Sequence, residues 1–302
     1  MAIFSIINLI IHLRLLSIFP LLVSGQKQPS SVAKPKIVGG TEVTPGAYPW
    51  FVSIVDGRGV QLCGGSVIAS QWILTAAHCQ GQAAFVQIGR HDLDSKEELF
   101  ENIPIQSEFI HPLNCPQTKE YDIMLIKLQW SSIAPPVTLA SGDTDTSPGT
   151  DVVVMGWGTI YFGGPTSNVL REVELDVMDQ LMCENLYTNI SPITDDMLCA
   201  ARAGGDACQG DSGGPLIKFE NGQPIQVGIV SWGVYCAEPL YPGVYARVTK
   251  AKPWIKETIR NNGVVSVKTL LKYRTKQIFD GGRRLMQRSH DNKTNRGLRT
   301  RQ

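Results

Sequence analysis

The chain is short of charge, of aromatic residues and of long apolar runs. Charged residues fill 18% of its 302 positions and aromatics 8%, and the formal net charge is only +1. No nucleic-acid partner is expected from such a balance. No apolar stretch reaches the ~20 residues that a membrane span needs. The first 25 residues come nearest, but Arg14 interrupts them. They end in the small-residue stretch Val23-Ser24-Gly25, which suits signal-peptide cleavage after Gly25. An uncleaved anchor is the other reading of this stretch and the weaker one. Helical periodicity is also scarce, which argues against an all-helical fold, and no internal repeat is visible.

What is present is apolar residue, glycine and cysteine. The hydrophobic fraction of 43% is enough for a substantial core, and the 29 glycines suit a loop-rich all-β protein. Seven cysteines, all beyond residue 25, fit an oxidising compartment, so the chain reads as secreted and extracellular. The small net charge hides an asymmetry. Residues 37–261 hold 13 Lys and Arg against 25 Asp and Glu, a net of −12, whereas residues 262–302 hold 11 against 2, a net of +9.

Residues 26–36 are polar, Pro-containing and free of acid, and read as an unstructured leader. From Pro49 to about Thr249 short strand-like runs alternate with turn residues. They include Trp50–Val55, Ser66–Ile68, Trp72–Ala76, Phe85–Gly89, Ile123–Leu128, Asp151–Met155, Val173–Val177, Pro215–Phe219, Gln226–Trp232 and Gly243–Val248. Only Asp179–Tyr187 and Ala251–Arg260 look helical. Count and spacing favour a barrel or a sandwich.

The chemistry is concentrated in Gly204-Gly205-Asp206-Ala207-Cys208-Gln209-Gly210-Asp211-Ser212-Gly213-Gly214-Pro215. A serine hydroxyl is a poor nucleophile until a base takes its proton. Flanking glycines leave backbone N–H groups free to point at one spot, as an oxyanion requires. Gly210–Pro215 resembles the nucleophile loop of the chymotrypsin-like serine proteases. A lone histidine is more often structural than catalytic, but His78 lies in Leu74-Thr75-Ala76-Ala77-His78-Cys79, which is similar to that family's base motif. Imidazole suits the role because it titrates near operating pH. Asp122 opens the apolar run Tyr121-Asp122-Ile123-Met124-Leu125, an odd place for an unpaired carboxylate. The order His78, Asp122, Ser212 is the family's own order.

The resemblance covers residues 37–261 and implies an all-β fold. Two six-stranded antiparallel β-barrels would join near 140–150, with the site between them and a C-terminal helix. It implies that Ser212 attacks a peptide carbonyl, His78 is the base, and Asp122 holds its tautomer. The N–H groups of Gly210 and Ser212 would form the oxyanion hole. Asp206 would floor the specificity pocket and select Arg or Lys, Ala207 leaning the choice toward Arg. Ser231, Trp232, Gly233 and Gly243 would form the substrate-pairing segment and the pocket walls. Cleavage between Lys36 and Ile37 would free an ammonium to pair with Asp211, making residues 26–36 an activation peptide. Lys36 itself fits the pocket, so self-activation is allowed. The implied disulfides are Cys63–Cys79, Cys183–Cys199 and Cys208–Cys236. Protein or peptide substrates and serine protease inhibitors are the implied partners.

Departures matter as well. Thr138 and Lys218 stand where another family bridge would have its cysteines, and Cys115 is left over. Arg90 stands where a calcium loop expects an acid, although Asp92, Asp94, Glu97 and Glu98 follow, so no metal or other cofactor is expected. Pro242 occupies the position that sodium-regulated relatives fill with another residue. Asn189-Ile190-Ser191 and Asn292-Lys293-Thr294 are glycosylation acceptors on pattern alone. The basic extension 262–302 has no counterpart in simple trypsins. It reads as a solvated tail or, more sharply, as a polyanion contact. A catalytically silent binding protein on the same scaffold is the competing functional reading.

Overall fold

The structure is a computed structural model and describes residues 40–263, except 143 and 239. The readings placed on the signal segment, Lys36, Ile37, Asn292 and the basic tail lie outside the described residues. After the short strand β1 (Thr41–Glu42), six strands follow: β2 (Phe51–Val55), β3 (Gln61–Ala69), β4 (Trp72–Thr75), β5 (Phe85–Ile88), β6 (Glu101–Ile110) and β7 (Met124–Leu128). They close into an antiparallel barrel in the order β2-β3-β4-β7-β6-β5. The β-branched run of β2 is buried along its whole length, as a strand inside a closed barrel requires.

After β8 (Thr138–Leu139) comes a second set: β9 (Asp151–Gly156), β10 (Arg171–Val177), β11 (Met197–Ala201), β12 (Pro215–Glu220), β13 (Gln223–Trp232) and β14 (Gly243–Arg247). Antiparallel pairing runs β9-β10-β11-β14-β13-β12 and returns to β9, closing a second six-stranded barrel. β1 and β8 are appended to it, on β10 and β13. The fold is therefore the two-barrel architecture that the resemblance implied.

Two helices are described. Helix α1 (Gln180–Tyr187) starts at Asp179, whose side chain accepts the Met182 N–H at 2.9 Å, an N-cap in the ordinary sense. Helix α2 (Val248–Gly263) buries Val248, Ala251, Ile255 and Thr258, a spacing that keeps one face on the second barrel. Among the described residues no helix is long and apolar enough to cross a membrane.

Four strands have no match among the runs seen in the sequence, and β1 and β8, at two residues each, are too short to give one. β6 contains Pro104, which interrupts a strand signal, and its residues are mostly half-buried rather than alternating. β11 is only Met-Leu-Cys-Ala-Ala, and alanine is depleted in strands, yet it lies between β10 and β14. Burial between neighbours overrides the weak local preference.

The barrels meet along a polar and aromatic seam. Ser66 Oγ on β3 donates to Gln226 Oε1 on β13 at 2.6 Å, fully buried. The rings of Phe51 and Trp157 pack at 5.1 Å. The Gly64 N–H on β3 donates to the Ser212 carbonyl at 2.8 Å. Three disulfides form, Cys63–Cys79, Cys183–Cys199 and Cys208–Cys236. The first lies within the first barrel and the other two within the second. Each closes a loop whose entropy loss in the unfolded chain corresponds to about 3 kcal/mol.

Candidate active site

Strand β4 ends at Thr75, and a 3-10 turn, Ala77–Cys79, then carries His78. The Cys63–Cys79 disulfide fixes that turn to β3. Asp122 stands just before β7, 1% exposed. Its Oδ1 accepts the His78 backbone N–H at 2.9 Å, and its Oδ2 lies 2.7 Å from His78 Nδ1. Ser231 Oγ donates to the same Oδ2 at 2.6 Å. Burial alone would raise the carboxyl of Asp122. The hydrogen bonds and charge of His78, with the bond from Ser231, outweigh it and hold the group below its ordinary value. An ionised acceptor at that distance puts the ring proton on Nδ1 and leaves Nε2 as the acceptor.

Ser212 is brought to the same region by the bond from Gly64, the neighbour of Cys63. Among the described residues no hydrogen bond joins the imidazole to Ser212 Oγ. Unliganded sites of this kind are commonly loose at that contact. Gly210 adopts φ +99, a left-handed conformation that favours glycine. Its carbonyl accepts Gln61 Nε2–H at 2.8 Å. The N–H groups of Gly210 and Ser212 have no acceptor among the described residues.

Asp211 points the other way, into the protein, and is 1% exposed. Its carboxylate accepts N–H groups from Gly158 and Cys208, each at 2.8 Å. A Cβ built on Gly156 or Gly158 would collide with that carboxylate, so both positions need glycine. Burial pushes the group up to about 6 against the pull of the two N–H bonds. No cation meets it among the described residues.

Beside Ser212 a cleft opens between the loop that leads into β12 and the loop that follows β13. Asp206 lies at its base, 4% exposed. One carboxylate oxygen accepts the Ala237 N–H at 2.9 Å, while Oδ1 has no partner among the described residues. The hydroxyl of Tyr245, also on the cleft, lacks one too. Burial drives Asp206 up to about 7; the N–H groups of Ala237 and Ala207 pull it down and the charge of Asp211 adds to the rise. Gly243 adjoins it so closely that a Cβ there would lie 2.8 Å from Oδ1. Ala207, Ser231, Trp232 and Gly233 complete the walls. Trp232 packs edge-on against Tyr187 at 4.9 Å.

The family model described as Trypsin matches residues 37–255. The chain belongs to the trypsin family of serine proteases. Serine protease 56 of Homo sapiens is 38% identical over 250 residues, covering 77% of this chain and 41% of that protein. The Mus musculus serine protease 56 is 39% identical over 235 residues, 74% of this chain and 38% of that one. The chain thus spans about two fifths of the length of the curated relatives it matches. A solved structure of neuropsin, a serine protease expressed in the limbic system of mouse brain, superposes with a TM-score of 0.66 at 35% identity. That match covers 73% of this chain and 98% of neuropsin.

Other sequence features of this trypsin-family chain are placed as follows. Cys115 is free and half-buried, with Sγ 3.4 Å from Gln117 Oε1. Hydrogen bonds from Thr118 hold its thiol below the ordinary value. Asn189 is exposed just beyond α1. Pro242 offers its carbonyl to Tyr187 Oη at 2.6 Å. The guanidinium of Arg90 fills its own loop. It donates to the carbonyls of Asp92 and Leu93, lies 3.6 Å from Glu98 and sits over the Phe100 ring at 4.3 Å. Glu98 in turn accepts the His91 and Asp92 N–H groups, whereas Asp94 accepts Asn168 Nδ2–H. Cys63, His78 and Cys79 bring three potential metal-ligand atoms within 4.8 Å, but the two sulfurs are spent on the disulfide.

Several contacts at the site had no signal in the sequence. The bond from Ser231 to Asp122 spans 109 residues, and that from Gln61 to Gly210 spans 149. The glycines at 156 and 158 are explained only by the carboxylate that fills their side-chain space.

Proposed function

We propose that this chain is a secreted trypsin-like serine endopeptidase, made as a zymogen and hydrolysing peptide bonds after Arg or Lys. The observation that carries the reading is Asp206. It is a buried carboxylate with one unpartnered oxygen at the base of the cleft whose mouth holds Ser212. A cationic side chain entering the cleft would satisfy that oxygen, and a neutral one would leave it bare, which is the physical basis of selection.

In the mechanism, Ser212 Oγ attacks the scissile carbonyl and passes its proton to His78 Nε2. Asp122 stabilises the resulting imidazolium through Nδ1–H. The tetrahedral oxyanion takes the N–H groups of Gly210 and Ser212. His78 then gives the proton to the leaving amine, and water repeats the sequence on the acyl-enzyme. Cleavage after Lys36 frees the Ile37 ammonium, which reaches Asp211. A buried carboxylate held only by two N–H bonds gains a charged partner there, and this fixes the Gly210–Ser212 turn.

The test uses protein cut at Lys36–Ile37 and peptides that differ only in the residue before the scissile bond. Cleavage after Arg and Lys with none after Leu is expected, and equal rates for Leu and Arg would overturn the pocket assignment. Covalent labelling by a serine-directed phosphonate, lost in Ser212→Ala, separates an enzyme from a silent binding protein. N-terminal sequencing of active protein should begin at Ile37.

A further inference from the structure

A pair of aromatic rings stands at the outer rim of the cleft. Phe162 belongs to the loop between β9 and β10, and Tyr235 to the loop between β13 and β14. They meet edge to face at 5.0 Å with an interplanar angle of 81°. Each is about half exposed, 51% and 52%. Both line the cleft that holds Ser212 and Asp206. They are also held in place. The Gly163 N–H, next to Phe162, donates to Gln209 Oε1 at 3.3 Å, and Tyr235 precedes Cys236, which is bonded to Cys208. Two rings fixed by separate anchors and left half in water form an apolar platform continuous with the cleft, where a third apolar group would gain by covering them.

We propose that Phe162 and Tyr235 form a subsite for an aromatic or large aliphatic substrate side chain, two positions before the basic residue. The inference rests on the function proposed above. A substrate extended along Ser231–Gly233 alternates its side chains, so residues two apart share a face at about 7 Å. With the basic side chain in the cleft, the residue two before it emerges on the same face beside Gly233. Gly233 has no side chain to meet it, and Tyr235 lies two residues further along. The rings bear no charge, so an acidic or small polar residue gains nothing there.

Activated full-length protein is assayed on arginine peptides carrying Phe, Leu, Gly or Asp two positions before the arginine. The Phe-to-Gly ratio of kcat/KM is expected to be about 10. In Tyr235→Gly, Phe162→Ala and the double variant it should fall toward one. The ratio is taken within each protein, so a general change in activity does not enter it. A wild-type ratio near one, a preference for Asp, or a ratio that survives in the double variant would overturn the subsite. A single-residue arginine amide, which has nothing at that position, reports on the pocket alone. If it is not cleaved, the pocket reading fails and the subsite falls with it. If it is cleaved without any preference in the peptides, only the subsite fails.

Discussion

Lowering the pH should weaken cation binding in the cleft before the fold is affected. Asp206 is buried at the base, pushed up to about 7, and only its ionised form pairs with a cation. At pH 8 about nine-tenths of the groups are ionised, and at pH 5 about one in a hundred. Binding a cation at pH 5 must first expel a proton, so affinity should fall about 100-fold between those two values. The sign is fixed by the direction of the shift. A carboxyl raised above its usual range loses its charge on the acid side of the new value, so affinity rises with pH and levels off above about 8. Turnover alone is a poor assay because His78 also acts on it. Direct binding of benzamidine, a small amidinium that needs no catalysis, isolates the carboxylate. Asp206→Asn removes one partner of a buried pair, a loss of about 3–5 kcal/mol, or 10²- to 10³-fold and more in affinity. It should also flatten the pH profile. A wild-type profile that is flat from pH 8 to 5, or an Asn variant that binds as tightly, would refute the reasoning.

Three further outcomes follow from the geometry. Ser231→Ala deletes a hydrogen bond to a buried carboxylate, so kcat should drop about 10- to 100-fold and the acid limb of its pH profile should move up as Asp122 becomes easier to protonate; unchanged kcat and profile would mean that the bond is idle. Gly156→Ala places a methyl inside the Asp211 carboxylate and should cost at least about 100-fold in phosphonate labelling rate while the protein stays folded by circular dichroism. Arg90→Met strips two carbonyls and Glu98 of their cationic partner and should cost about 2–4 kcal/mol in denaturant unfolding, measured on a Ser212→Ala background to prevent self-digestion.

The candidate site was legible where its signal is local. His78, Asp122 and Ser212 each sit in a short run whose neighbours give them away, and the three bridged cysteine pairs follow from the same resemblance. What held these pieces in register was not legible. Gln61 is one polar residue in a strand until Gly210 arrives from 149 positions away. Ser231 reads as a substrate-pairing residue, and only the fold shows its hydroxyl turned onto Asp122. Strands with alternating or β-branched runs, such as β2, announced themselves. β6 and β11 did not, because proline and alanine mask a conformation imposed by neighbours. Arg90 reads as the absence of an acid, whereas the loop shows a cation bound from within.

The three bridges leave the halves of the molecule covalently independent of each other except through the main chain, which crosses between them at residues 43–50 and again between Leu128 and Thr138. His78 and Asp122 come from one half, Ser212 and Asp206 from the other, and the junction relies on contacts such as Ser66 to Gln226. Mild heating or denaturant therefore has a route to inactivation that breaks no sulfur–sulfur bond and melts no barrel. A hinge-like slip of the halves would carry His78 and Asp122 away from Ser212 and Asp206, so loss of turnover should precede loss of structure.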